Sequence, residues 1–203
     1  FVVLPLMIWG RTSFDVKRVA GITGYFSALG FGFIVIEICL MKRYVLFLGN
    51  PAYSIATVVV ALLASAGIGS LITSKIGLEK PLKVISVVIP LIALLVLAEA
   101  YLSPIVFNYT LHLEFPGRVA IASLVLAPIG VCMGMPFALG LRIIHSLNMP
   151  VEERKKVIAW AWGINGYATV VGSALSVYVP LFFGLKIALF TALIAYLLGL
   201  VAL

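Results

Sequence analysis

An all-α, polytopic membrane bundle of six helices is the fold class this sequence predicts, and three observations predict it. Mean hydropathy is +1.23, with 64% of residues hydrophobic and 10% charged, a balance that soluble domains of this length do not carry. Apolar runs reach the roughly 20 residues a helix needs to cross a hydrocarbon core of about 30 Å. Those runs are continuous, not broken into segments of about 10 residues of alternating polarity, which argues against a barrel. Basic residues, finally, gather in alternate polar breaks.

The elements follow from the runs and breaks. FVVLPLMIW, residues 1–9, starts within an apolar run and reads as the end of a preceding helix. No basic region precedes it in this sequence, so a secretory signal is not visible. With the loop at 10–17 it forms a first segment, 1–17, ahead of a membrane domain over 18–203. Within that domain the spans are expected near 18–41, 51–74, 82–103, 118–141, 157–180 and 185–203. The loop at 104–117, with Phe107, Tyr109, His112 and Phe115, is aromatic enough to lie in a headgroup layer. The loop at 142–156 contains Pro150, suited to begin a short surface helix whose first turn carries Glu152 and Glu153 at the positive end of its dipole. No loop is long enough to house a separate soluble domain.

Net charge is +7, and its placement identifies it as a topology signal, not a nucleic-acid footprint. Alternate breaks share a side. One side collects Arg11, Lys17, Arg18, Lys75, Lys80, Lys83, Arg142, Arg154, Lys155 and Lys156; the other holds Lys42, Arg43, Arg118 and Lys186. The positive-inside bias puts loops 10–17, 75–83 and 142–156 in the cytoplasm of a cell whose inner membrane the chain spans. The lipid bilayer is then its first partner, with anionic headgroups adding attraction on the basic side.

Polar residues inside the spans are the candidate functional groups. Thr23, Ser27, Gly30, Ile34 and Glu37 recur at spacings of four, three, four and three, one stripe of a helix. The stripe is small and polar between Phe, Ile and Val flanks, so it should face protein. Glu37 is expected in the outer part of the bilayer, about 8 Å before Lys42 at helical rise. Glu99, four residues before Ser103-Pro104, should share that depth. The two acids have three readings: ion pairs with Lys42, Arg43 or Arg118; a cation or proton held between them; or independent snorkelling. Asn165, in WAWGINGYATVVGSALS, lies deep enough that its amide needs a partner, an interhelical hydrogen bond or, alternatively, a substrate contact. Trp160 and Trp162 fall where an aromatic belt belongs.

Small residues should mediate close helix packing: Gly30, the GxxxG pair Gly130 and Gly134, and Gly166 and Gly172. Alternatively, some glycines together with Pro90, Pro128 and Pro136 make bends that line a cavity. Cys39 and Cys132 read as small buried thiols. His112 and His145 lie in or beside loops on opposite sides, so no intramembrane histidine pair is available for haem and no base for a serine nucleophile. Neither a metal-ligand set nor a phosphate loop is visible, so no cofactor is expected.

GFGFIVIEICLMKRYVLFLGNPAYSIATVVVALLASAGIGSLITSK, MGMPFALGLRII and AWAWGINGYATVVGSALSVYVPLFFGL, in that order, resemble the membrane segment of large bacterial spermidine synthase-like proteins, in which a major facilitator-like unit is fused to an aminopropyltransferase domain. The resemblance covers about residues 18 to 203. It implies a non-catalytic membrane domain that anchors or packs against a partner domain, a partner subunit or further parts of the same polypeptide. The alternative it implies is a six-helix transporter half-unit for a polyamine or other organic cation. The acidic catalytic residues of the transferase domain are not among these residues, so no transferase activity is expected of them. In the loop motif of the major facilitators, Lys75 and Gly77 fit, while Ser74 stands where Asp is usual.

Overall fold

The structure, a computed structural model, describes residues 16–75 and 81–203. Six α-helices make up this part of the chain: α1 (Val16–Leu48), α2 (Pro51–Lys75), α3 (Pro81–Thr110), α4 (Phe115–Ser146), α5 (Val151–Phe183) and α6 (Leu185–Ala202). Each is long and apolar enough to cross a membrane. The expected helix end at 1–9 lies outside the described residues.

The helices overrun the expected spans. α1 continues through Lys42 and Arg43 to Leu48, and α3 passes Pro104 to Thr110. Placing a break at the first charged residue underestimates a helix whose backbone bonds, once nucleated, propagate through polar positions. The aromatic loop at 104–117 is therefore mostly helix, with a turn near 111–114. The surface helix expected before the fifth span is instead the start of α5 itself, unbroken from Val151, with Glu152 and Glu153 in its first turn.

The connections are short and chemically determined. Gly49 takes φ +77 between α1 and α2, a conformation that a Cβ opposes. Asn50 then caps α2, its side-chain oxygen accepting from the Ala52 N–H at 2.8 Å with Pro51 at the first helical position. Gly184, φ +85, makes the corresponding turn between α5 and α6.

α1 packs chiefly on α5 and α6, and α4 chiefly on α2 and α3. Exchanging the first three helices with the last three maps one set of pairings onto the other. Because α1 and α4 run in opposite directions through the chain's alternation, the relation is of the inverted-repeat kind. α1 and α5 run parallel: Thr23 meets Trp160, Gly30 meets Asn165, and Ile34 meets Gly172. α2 and α4 also run parallel, Leu62 facing Gly130, Ala66 facing Gly134, and Arg142 reaching the Ser74 carbonyl. One end of the bundle thus gathers Lys75, Lys83, Arg142, Arg154, Lys155 and Lys156, and the other carries the α1–α2, α3–α4 and α5–α6 turns.

Candidate functional site

The stripe on α1 is the α1–α5 seam. Thr23 Oγ1 accepts from the Trp160 indole at 2.8 Å. Asn165 Nδ2 donates to the Phe26 carbonyl at 3.0 Å, and the Thr169 hydroxyl reaches the Gly30 carbonyl at 3.4 Å. A Cβ at Gly30 would press on Asn165, and one at Gly172 would lie 2.6 Å from Ile34 Cγ2. Both glycines are needed because each sits where the two helices touch. Gly130 and Gly134 do the same for α2 and α4, where added methyls would strike Ser65, Leu62 and Ala66.

Two expectations change here. A Cβ at Gly166 would meet nothing within 4 Å, so this glycine does not pack against another helix among the described residues. Its neighbour Asn165 turns in, which carries Gly166 to the far side of α5. Trp160 likewise turns inward; only Trp162, 58% exposed, faces outward, and it rests against Phe137.

The two acids do not form one site. Glu37 continues the stripe that faces α5, whereas Glu99 on α3 lies beside Arg43, whose Nε is 3.7 Å from Glu99 Oε1. Six residues separate Glu37 from Arg43, which at 100° per residue sets them on different sides of α1. Their depths stay close: Phe47 stacks on Phe107, ring centroids 4.2 Å apart, so Glu99, eight residues before Phe107, is level with α1 near Cys39, about 3 Å from Glu37 at helical rise. Both carboxylates are buried, Glu37 7% and Glu99 4% exposed. Glu37 makes no hydrogen bond or ion pair among the described residues.

The basic residues expected to pair with these acids mostly serve the backbone, and prolines explain why. A helical proline has no N–H, so the carbonyl four residues earlier loses its donor. Pro104 frees the Ala100 carbonyl, and Arg43 Nη2 donates to it. Pro180 frees the Ser176 carbonyl, and Lys42 Nζ donates to it at 2.9 Å. Phe47, in the last turn of α1 where carbonyls lack an intrahelical donor, has its carbonyl accept from Arg118 Nη1 at 3.1 Å. Consecutive residues of α1 thus tie it to two other helices. In a setting without water each freed carbonyl would otherwise cost several kcal/mol, on the order of an unmade hydrogen bond in hydrocarbon. Lys186 lies over the Tyr101 ring, 4.7 Å from its centroid.

This pairing was readable in the sequence only as prolines inside apolar runs; which cation answers which carbonyl depends on tertiary contacts. No group of three or more His, Cys, Asp or Glu residues able to hold a metal occurs among the described residues. Cys39 and Cys132 are buried and free. A scan against protein-family models and searches of curated proteins and of solved structures found no match to the chain.

Proposed function

We propose that this chain is a non-catalytic membrane unit that packs against partner membrane helices, as the resemblance to spermidine synthase-like proteins implies, with its basic end in the cytoplasm of a bacterial inner membrane. The observation that carries the reading is the outward face of α5. An added Cβ at Gly163 or Gly166 would meet nothing within 4 Å among the described residues, beside Trp162 and Tyr167, both more than half exposed. Glycine lowers helix propensity and adds little contact with acyl chains, while it permits close approach of another helix. Gly67, on the repeat-related α2, is open in the same way. The polar groups inside the bundle, Asn165, Arg43 and Lys42, are engaged with its own backbone, which supports a structural role.

The test is site-specific photocrosslinking in native membranes from position 166, with Leu198 on α6, also exposed, as reference. Adducts from 166 and not from 198 support the reading; equal or absent adducts contradict it.

One observation favours a second reading, a transporter half-unit for a polyamine or other organic cation: Glu37 is a buried carboxylate without a partner among the described residues, of the sort that marks an ion or substrate path. Uptake abolished by Glu37→Gln in a folded protein would support it; uptake unchanged, or absent from the wild type, would dismiss it.

A further inference from the structure

The two intramembrane acids differ in what surrounds them. Glu99 stands 3.7 Å from Arg43, and both of its oxygens are enclosed. Glu37 is 7% exposed and has no partner among the described residues, yet neither of its oxygens is enclosed as those of Glu99 are. The little of Glu37 that reaches the molecular surface therefore includes its carboxyl head.

Nothing nearby answers a charge on it. The cations at this end of the bundle are committed elsewhere: Lys42 to the Ser176 carbonyl, Arg43 to Glu99 and the Ala100 carbonyl, Arg118 to the Phe47 carbonyl, and Lys186 to the Tyr101 ring. No charged group among the described residues acts on Glu37. On α5, just past the contact of Ile34 with Gly172, the Ser173 and Ser176 hydroxyls donate to the Val170 and Ser173 carbonyls of their own helix. Tyr196 of α6 meets α1 at Gly32, more than a turn away. A lone carboxylate withdrawn from water costs far more than the neutral acid, so a carboxyl placed in this way takes up a proton.

We propose that Glu37 is a proton-binding site, a neutral carboxyl open to membrane-soluble reagents, in contrast to the ionised and enclosed Glu99. The proposal does not rest on the transporter reading, which uptake tests separately; within that reading it makes Glu37 the seat of a proton and not the counter-charge of an organic cation.

The neutral acid is the form that adds to a carbodiimide. Its O–H adds across one C=N bond, the oxygen bonding the central carbon and the proton passing to nitrogen. The acyl group then shifts from that oxygen to a reagent nitrogen, giving a stable N-acylurea that keeps every atom of the reagent and needs no oxidant or leaving group. The test is treatment of the full chain in native membranes with dicyclohexylcarbodiimide, followed by peptide mass spectrometry. One reagent mass on Glu37 and none on Glu99 is expected; no adduct on Glu37, or equal adducts on the two acids, overturns the proposal. A second measurement needs no reagent. Gln matches a neutral Glu in shape and charge, so Glu37→Gln should leave thermal unfolding in detergent near that of wild type, while Glu99→Gln, which leaves Arg43 unopposed, should lower it. An equal loss from the two substitutions overturns the proposal as well.

Discussion

The two parallel seams, α1 on α5 and α2 on α4, solve one problem by different chemistry. Both bring backbones within the reach of a missing Cβ, at Gly30 and Gly172 in one and at Gly69, Gly130 and Gly134 in the other. The α2–α4 contact does so with little polar help, Leu62, Ser65 and Ala66 lying directly against glycine. The α1–α5 contact adds a ladder of hydrogen bonds from Trp160, Asn165, Thr169 and Lys42. Dispersion at close range and interhelical hydrogen bonding are the two means available where lipid removes the hydrophobic driving force. The difference teaches that polar residues in these spans fasten helices and that glycines do so equally well without them.

The largest expected effect lies outside both seams, at the α1–α3 contact. Arg43→Ala leaves Glu99 uncompensated and the Ala100 carbonyl without its donor, and a loss of about 3–5 kcal/mol in unfolding free energy in detergent is expected, as for other buried pairs deprived of one partner. Next comes the dry seam. Gly134→Ala drives a methyl into the Ala66 backbone, which cannot swing aside as a side chain can, and a loss of about 1–3 kcal/mol is expected by the same measurement. Asn165→Leu removes one rung of the ladder and should cost about 1–2 kcal/mol. Smallest is Gly166→Ala, which meets open space and should stay within about 0.5 kcal/mol of wild type for the isolated unit. A large effect at Gly166 in the isolated unit would mean that it packs within the chain after all.

Much of this was legible in the residues. Six continuous apolar runs gave six helices, and the four-three spacing from Thr23 to Glu37 marked the face that meets α5. Gly130 and Gly134 were legible because GxxxG needs only helical periodicity to be read. Other features were not. The ends of α1 and α3 lie beyond Arg43 and Pro104, since a charge or a proline in a long helix can be answered by a neighbour that the sequence does not identify. The separation of Glu37 from Glu99 depends on which side of α1 α3 packs against, seen in Arg43 lying beside Glu99 and the Ala100 carbonyl. Gly166 and Gly172 look alike in sequence, yet the rotation of α5, fixed by Asn165 turning inward, sends one outward and the other onto Ile34.

The central claim is that basic side chains near this end of the bundle replace backbone donors that prolines remove. It is tested most directly by a double-mutant cycle between Arg43→Ala and Pro104→Ala, followed by unfolding in detergent. Alanine at 104 supplies the N–H that Ala100 lacks, so Arg43→Ala should cost less in that background by roughly 1 kcal/mol, the worth of the replaced hydrogen bond. An identical cost of Arg43→Ala with proline and with alanine at 104 would contradict the account.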